Sequence, residues 1–325
     1  MSGISELALN LTVHHLVFTL EAGTFVHFGP QAGAQIRGAL WAALQEFACT
    51  SPNARTPEHT RHCPMCRLVA LETADNSRGV NPPRPFAIRP PLPDLPGGDC
   101  RFKPGQTFSI GINLFGDAAD LFPFVAQAMY RAGQLGIGYG RGQFSIRAIQ
   151  AVNPCSTEPR ALFEGRRVIA LPDVPVNHVS VLQAAAALPA DRLRLNFLTP
   201  TQITGGGRVL KEPDFATLLA RLIERCQALE AHYTDAAQPA EHWREYYLHL
   251  VELSRSVHLL QDDTRWVRAE SGSRRTNETV SVGGFVGTAV YQGDLATFRY
   301  WLAWGQSLHV GKNVVKGSGW YSIEN

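Results

Sequence analysis

Hydrophobic positions in the first part of the chain follow a strand-like pattern and then a helix-like one. Residues 9–20 are rich in Val, Leu, Phe and Thr, which favours a β-strand. Residues 31–48 follow a helical period instead. Ile36, Leu40 and Leu44 recur at four-residue spacing, which places them on one face of an amphipathic helix. The chain therefore opens with a predicted strand followed by a predicted helix.

Two further strands, a second helix and a last strand complete the pattern of the first half. They are predicted over residues 85–89, 107–114, 121–135 and 143–152. A glycine-rich segment, GIGYGRG, occupies residues 136–142 just before the last strand, and its glycines favour a loop. The resulting order, β-α-β-β-α-β, is typical of the ferredoxin-like fold.

The second half repeats this order of elements without an obvious repeat of the sequence. Strands are predicted over residues 192–203, 266–270, 280–291 and 320–323, and helices over residues 214–233, 241–257 and 295–308. A second glycine-rich segment, HVGKNVVKGSG, again precedes the last strand. Two halves with the same element order indicate structural self-similarity.

The sequence thus predicts an α+β protein of two tandem ferredoxin-like (βαββαβ, RRM-like) domains with glycine-rich loops. A length of 325 residues with 45% hydrophobic positions is enough for two cores. We expect an N-terminal domain over 1–155 with a Cys-containing insertion at about 49–85, a linker over 156–190, and a C-terminal domain over 191–325 whose glycine-rich loop covers 309–319.

Charge and composition narrow the classes of partner. The formal net charge is only +2 and 18% of residues are charged, so a nucleic-acid surface would have to be a local patch. Of the 30 basic residues, 26 are Arg, whose planar fork suits phosphate. We find neither the pattern of a signal peptide nor an apolar run long enough for a membrane helix. We therefore expect a cytoplasmic protein without a membrane partner.

The C-terminal segment GGFVGTAVYQGDLATFRYWLAWGQSLHVGKNVVKGSGWYSI, residues 283–323, resembles a known signature. It combines a glycine-flanked strand, a helix and a glycine-rich loop ahead of the last strand. The segments RPFAIRPP, FKPGQTFSIGINLFG, GIGYGRGQF and LRLNFLTPTQI are similar to family segments in type and order. Together they resemble the RAMP superfamily and, within it, the CRISPR-associated endoribonucleases that cut precursor repeat RNA.

This resemblance implies a mechanism and a set of partners. Such enzymes bind CRISPR repeat RNA in a cleft between two domains and cleave it without metal. The ribose 2′-hydroxyl is the nucleophile, and a 2′,3′-cyclic phosphate is left. The chemistry needs a base, an acid and cations around the phosphate. Other CRISPR-associated subunits of an interference complex are further candidate partners, and no cofactor is expected for catalysis.

The candidate base is a histidine, because its ordinary pKa lies near neutrality. The resemblance places a catalytic histidine near the start of the first helix or after its end. His27 fits the first placement, and His59 or His62 fits the second. Arg37, in the second turn of the predicted helix, is a candidate to hold phosphate or to form an internal salt bridge.

Candidate RNA-binding residues fall in the glycine-rich loops and in a predicted hairpin. In the second loop, Gly311 and Gly317 allow a close approach of backbone to phosphate, and Lys312 and Lys316 are half of the four lysines of the chain. The remaining candidates are basic side chains of the first loop and of the hairpin: Arg141, Arg268, Arg274 and Arg275. A basic two-stranded ribbon can follow a nucleic-acid backbone.

Cysteines in the predicted insertion indicate a metal site. Cys63 and Cys66 form a CxxC pair, a spacing that can chelate one tetrahedral zinc ion. Cys49 is the expected third ligand. His62 is our first candidate for the fourth, and His59 and Cys100 are alternatives. If zinc binds His62, that residue cannot be the base, which favours His27.

Two other functions stay open at this point. The same fold could serve a non-catalytic subunit that holds CRISPR RNA in an interference complex, or a structural protein that binds another protein. Cleavage of a cognate repeat RNA without divalent metal distinguishes the enzyme from the first. Binding of no RNA even at low salt would favour the second.

Overall fold

Two antiparallel sheets with their helices form the two halves of the protein in a computed structural model, which describes residues 7–49, 51, 56–69, 82–155, 158–273 and 278–324. The first half contains β1 (Val13–Ala22), β2 (Val26–Phe28), α1 (Ala32–Phe47), α2 (Pro57–His62), α3 (Pro64–Val69), β3 (Phe86–Arg89), β4 (Cys100–Phe102), β5 (Thr107–Phe115), a 3-10 turn (Gly116–Leu121), α4 (Phe122–Leu135) and β6 (Phe144–Val152).

The first sheet has the strand order β3-β5-β1-β6-β7, where β7 is the short strand Arg160–Ala161. Side chains of β1 alternate between its two faces. Leu16, Phe18 and Leu20 are buried in the same core as Ile36 and Leu40 of α1. The predicted strand and helix at the start of the chain are therefore confirmed, and the apolar stripe of α1 covers this sheet.

A connecting region joins the two halves and has structure of its own. After β7 come β8 (Phe163–Glu164), β9 (Arg167–Val168) and α5 (His178–Ala186). Helix α5 begins with a capping box, because the Asn177 side chain accepts from the Ser180 amide and the Ser180 hydroxyl bonds the Asn177 amide. The segment that we predicted as a linker, 156–190, thus packs on both halves, with β7 on the first sheet and α5 against the helix Arg299–Leu308 of the second half.

The second half has the same strand order as the first. It contains β10 (Arg192–Thr201), β11 (Thr204–Gly205), β12 (Arg208–Val209), α6 (Phe215–Tyr233), α7 (Ala240–Ser254), β13 (His258–Val267), β14 (Glu270–Ser273), β15 (Glu278–Ser281), β16 (Gly284–Gln292), α8 (Arg299–Leu308), a 3-10 turn (Val314–Lys316) and β17 (Tyr321–Glu324). The sheet order is β13-β16-β10-β17. In both halves the four principal strands, numbered along the chain, lie in the order 2-3-1-4. This common order confirms the tandem ferredoxin-like prediction.

Two predicted element boundaries in the second half are wrong. We expected a strand over 266–270, whereas β13 already begins at His258 and ends at Val267. Most side chains of β13 are exposed because it is an edge strand, so it lacks the hydrophobic alternation that marks a half-buried strand. Similarly, the helix expected from Leu295 begins at Arg299, since Leu295 lies in the turn that precedes it.

The first residues described in the chain pack into the core of the second half. Leu7, Leu9 and Leu11 are buried together with the helices of that half. The Leu9 amide donates to the Tyr300 hydroxyl at 3.0 Å, and the next amide donates to the buried Glu230 carboxylate at 2.7 Å. The two halves are therefore joined by a shared core.

Adjacent histidines on β1 differ in burial because successive side chains of a strand point to opposite faces. His15 is buried and its Nε2 lies 2.9 Å from the Ser307 hydroxyl of α8, while His14 is only half-buried. Trp301 and Trp304 of α8 are fully buried. They are therefore core residues rather than stacking surfaces for bases.

Candidate functional site

The two glycine-rich loops meet at the start of helix α1. On one side, a Cβ atom added to Gly29 would lie 2.8 Å from the Tyr139 ring of the first glycine loop (136–142). On the other side, a Cβ on Gly33 would lie 2.2 Å from the carbonyl oxygen of Lys316 in the second glycine loop (309–319). Only glycine, which has no Cβ atom, allows contact this close to its backbone. Helix α1 therefore brings together loops that come from opposite halves of the chain.

A cleft opens beside this junction. It is lined by the start of α1, the proline-rich stretch 90–93, residues 198–200 at the end of β10, and Lys316 to Ser318. Both halves contribute to its wall, and so does the second glycine loop. Gly311 and Gly317 have positive φ angles of 83° and 82°, a conformation that glycine adopts readily. The exposed Lys312 donates its backbone amide to Gln202, next to the wall.

His27 lies on β2, directly before α1, and contacts the first glycine loop. Its carbonyl accepts the Tyr139 amide at 2.8 Å, and the two rings meet edge-on with centroids 5.1 Å apart. Strand β2 pairs with β4 and sets His27 opposite Arg101. Of the three candidate histidines, His27 is the one that this arrangement brings to the glycine-loop junction.

A carboxylate and a guanidinium accompany His27. Its Nε2 lies 2.8 Å from Asp99 Oδ2, and the Arg101 Nη2 atom lies 3.0 Å from the same oxygen. Since the carboxylate accepts, Nε2 carries the proton, and the Arg101 Nε at 3.4 Å is a neighbour rather than a donor to that nitrogen. The hydrogen bond from His27, followed by that from Arg101, lowers the pKa of Asp99.

Arg37 is a cation close to Lys316, which lines the cleft. The Arg37 guanidinium donates from Nη2 to the carbonyl of Val69 at 3.1 Å. Lys316 is half-buried, and its pKa is lowered, first by burial and then by the charge of Arg37. Two neighbouring cations at a half-buried position suit an anionic ligand, whose charge would offset their mutual repulsion.

Basic residues expected to contact RNA elsewhere lie on exposed loops. Arg141 is exposed at the end of the first glycine loop and has a φ of 52°. Arg268 is exposed between β13 and β14. Arg274 and Arg275 fall outside the described residues. The strands that flank them, β14 and β15, pair as a hairpin. They lie largely in the segment that we predicted as the loop between the strands 266–270 and 280–291.

Four side chains from the predicted insertion converge on one point. The Cys49 and Cys66 sulfurs are 4.0 Å apart, and His59 Nε2 lies 3.5 Å from the first and 3.3 Å from the second. With Cys63, the ligand atoms all lie within 4.8 Å of one another. Burial, followed by the neighbouring thiols, raises the pKa of Cys66 to about 12, so its thiolate needs a nearby positive charge.

The fourth member of this Cys/His cluster is His59, not our first candidate His62. Thr56 caps α2 by accepting the His59 amide. His62 is exposed and its Nδ1 bonds the carbonyl of Glu58 at 2.9 Å. Cys100 is not a member either, because its thiol donates to the carbonyl of Pro91 at 3.4 Å.

Three residues of the junction were not predicted from the sequence. Asp99 and Arg101 follow a glycine turn and reach His27 only through the pairing of two three-residue strands, β2 and β4. Tyr139 lies inside the first glycine loop, but it was not among the residues of that loop that we predicted to bind RNA. Its hydroxyl accepts from Gln31 Nε2 at 2.6 Å, at the start of α1. An exposed tyrosine between glycines is the signal that could have identified it.

Two family profiles match the chain, one in each half. Residues 11–174 match a family profile described as an N-terminal domain. Residues 195–321 match the profile of the CRISPR-associated endoribonuclease Cas6. No protein with a curated description matches the chain. Over the described residues, no helix combines the length and apolar character needed to cross a membrane.

Solved structures share the fold over nearly the whole chain. Thermus thermophilus Cas6 covers 97% of this chain and 99% of its own at 15% identity, with a TM-score of 0.57. A Cas6 product complex covers 96% and 99% at 17% identity, with the same TM-score. A partial Cas6-RT-Cas1–Cas2 complex covers 97% of this chain and 46% of its own at 11% identity, with a TM-score of 0.59. At these identities the likeness concerns the fold.

Proposed function

Because residues 195–321 match the profile of the CRISPR-associated endoribonuclease Cas6, we propose that this chain is a member of that family. It would bind CRISPR repeat RNA and cleave it within precursor transcripts to release guide RNAs. The observation that carries the proposal is the placement of His27, with Asp99 and Arg101, at the junction of the two glycine loops beside a cleft lined by Lys316. RNA would lie between an N-terminal domain of residues 1–155 and a C-terminal domain of residues 191–325, in the cytoplasm, where such transcripts are made.

We propose that cleavage proceeds through the RNA's own 2′-hydroxyl. In the neutral imidazole, Nε2–H donates to Asp99, so the lone pair for proton abstraction belongs to Nδ1. His27 Nδ1 takes the 2′-hydroxyl proton, the 2′-oxygen bonds to phosphorus, and the bond from phosphorus to the 5′-oxygen breaks. The 5′-oxygen leaves with the electron pair of that bond and takes a proton from water. Asp99 stabilises the imidazolium that forms. The products are a 2′,3′-cyclic phosphate and a 5′-hydroxyl.

Cations at the cleft would supply the electrostatic part of catalysis. Arg101 lies next to His27, and Arg37 and Lys316 lie together on the opposite side of the α1 start. Fixed positive charges stabilise the extra charge that develops on the phosphate oxygens. This step needs no metal ion in the proposed mechanism. The exposed Lys312, Arg141 and Arg268 would contact RNA further along its backbone.

We also propose that the Cys/His cluster holds one structural zinc ion. Zn–S bonds of about 2.3 Å and Zn–N bonds of about 2.0–2.1 Å place tetrahedral ligand atoms about 3.5–3.8 Å apart. The separations of 3.3 to 4.0 Å between Cys49, His59 and Cys66 fit this spacing. His59 would then be a ligand, and it could not serve as the base.

The test is a cleavage assay with repeat RNA from the neighbouring array. The RNA is incubated with protein in EDTA for a short time, the zinc content is measured before and after, and the RNA ends are mapped. We expect a single cut with a cyclic phosphate, lost in His27→Ala while RNA binding is kept. His62→Ala is the matched control, because that side chain is exposed and bonds its own helix.

Three outcomes would contradict parts of the proposal. A cut that survives His27→Ala would move the base to His59, His62 or another group. Tight binding without any cut would make the chain a subunit that holds CRISPR RNA for other CRISPR-associated subunits. Binding of no RNA at low salt would leave only a role in protein assembly.

A further inference from the structure

The Cys/His cluster is connected to helix α1 near both of its ends. Cys49 lies two residues beyond the last residue of α1, and the carbonyl of the intervening Ala48 accepts the Cys63 thiol at 3.5 Å. Cys66 lies on α3, which ends at Val69, and the Val69 carbonyl accepts Arg37 from the second turn of α1. The cluster therefore touches the end of the helix through its ligands and the beginning through Arg37.

Helices α2 and α3 have six residues each, which is too short for a helix to persist without tertiary support. Helix α3 has two kinds of support. Met65, Leu68 and Val69 are buried in the first core, and Arg67 forms an ion pair with Asp117. The contacts of α2 include its cap, those of His59 in the cluster, and its packing against α3. A bound metal would therefore fix both helices without being the source of the whole fold.

We infer that a zinc ion held by Cys49, His59, Cys63 and Cys66 sets the position of Arg37 beside the cleft residue Lys316, and so controls affinity for RNA phosphate without contacting RNA. The chain of contacts runs from Cys66 through α3 to the Val69 carbonyl, and from there to the Arg37 guanidinium beside Lys316. Arg37 is the binding group, and the metal and α3 act as its positioning elements. The RNA part of this inference rests on the proposed function, whereas the metal site does not.

The metal site is tested first, with full-length protein freed of metal by a chelator and titrated with Co²⁺. We expect saturation at one equivalent, with the visible bands of tetrahedral cobalt and a thiolate-to-metal band. Cys66→Ser should weaken the thiolate-to-metal band, because only two of the three thiolates remain, whereas His62→Ala should leave the spectrum unchanged. Absence of tetrahedral bands, or their loss in His62→Ala, would overturn the ligand set.

The effect of zinc on RNA binding through Arg37 is tested by measuring RNA affinity with and without zinc. We expect removal of zinc to weaken binding of the repeat RNA about five- to tenfold, the lower end of usual coupling between sites. In Arg37→Ala, zinc removal should cause no further loss. In the control Lys312→Ala, an exposed loop cation, the full effect of zinc should remain. Equal losses on zinc removal in wild type and Arg37→Ala would overturn the inference.

A readout without RNA separates this inference from the proposed function. Arg37 is half-buried and bonded to Val69, so a dicarbonyl reagent that modifies free guanidinium should react with it slowly. Mass spectrometry should detect faster modification of Arg37 after zinc removal. Arg147, which pairs with Glu21 on the surface, should react at an unchanged rate. An unchanged rate at Arg37 would overturn the positioning role, even if the protein bound no RNA at all.

Discussion

The carbonyl oxygen of Lys316 occupies the space in which a Cβ atom of residue 33 would lie, so Gly33 and Lys316 fix the distance between helix α1 and the second glycine loop. The separation from an added Cβ is only 2.2 Å. Because the two residues belong to opposite halves of the chain, this contact sets the width of the cleft at its closed end.

Gly33→Ala should therefore displace the second glycine loop. We expect the free energy of unfolding to fall by about 1–3 kcal/mol, the usual range for overpacking, and RNA affinity to fall with it. Gly38→Ala is the matched control, since nothing lies within 4 Å of its added Cβ on the same helix. That variant should gain about 0.5–1 kcal/mol from helix propensity. Denaturant unfolding measures both, and equal effects at the two positions would contradict the tight contact.

Lys316 should make RNA binding sensitive to alkaline pH. Burial and Arg37 lower its pKa, and a cation is charged only below its pKa. Its charge is therefore lost at a lower pH than that of an ordinary lysine, whose pKa is about 10.4. We expect affinity to fall as pH rises toward that value in wild type. Lys316→Arg should keep affinity, because arginine stays protonated.

The matched control for this pH profile is Lys312→Arg, in the same loop but exposed. RNA bases that titrate in the same range affect every variant equally, so the comparison isolates the lysine. A profile for Lys316→Arg that follows wild type would mean that Lys316 does not hold phosphate. Binding titrations at constant ionic strength give the measurement.

Asp99→Asn should slow cleavage while RNA binding is retained. The carboxylate orients His27 and stabilises its protonated form, and the amide keeps the shape without the charge. General acid–base catalysis contributes about 10²–10⁴-fold, so we expect a fall in the single-turnover rate of at least about tenfold. Glu46→Gln, which breaks a surface pair with Arg131, is the control. An unchanged rate in Asp99→Asn would remove Asp99 from the mechanism.

Glu230→Ala should destabilise the protein without a direct effect on the cleft. The buried carboxylate accepts from the amides of Asn10 and Gln238 and from Trp243 Nε1. Three donors would be left unsatisfied, and each unsatisfied donor costs about 1–3 kcal/mol. We expect a loss of about 3 kcal/mol or more in urea unfolding. Glu224→Gln, on the exposed face of the same helix, should change stability little.

The fold could be predicted from the sequence where burial imposes a period, as in α1, where Ile36, Leu40 and Leu44 face the sheet. Edge strand β13 could not, because its polar side chains face solvent and carry no pattern. The three cysteines of the metal cluster follow from the CxxC spacing and their proximity. The choice of His59 over His62 depends on where α2 begins, and therefore on the cap at Thr56.

At the site around His27, too, one part could be predicted from the sequence and another part could not. Its position before α1 could be inferred from the order of elements. Its partners could not, since Asp99 is 72 residues away and is brought near by strands of only three residues. Pairing between such short strands is set by the tertiary structure and leaves no periodic signal.

The placement of Leu7, Leu9 and Leu11 in the core of the second half also determines the order in which the chain can fold during synthesis. Leu9 is synthesised 291 residues before Tyr300, whose hydroxyl accepts its amide hydrogen bond. At about 5–20 residues per second, the delay is on the order of 15–60 s. Leu7, Leu9 and Leu11 must stay without their partners for that time, and the newborn chain exposes them until helix α8 emerges.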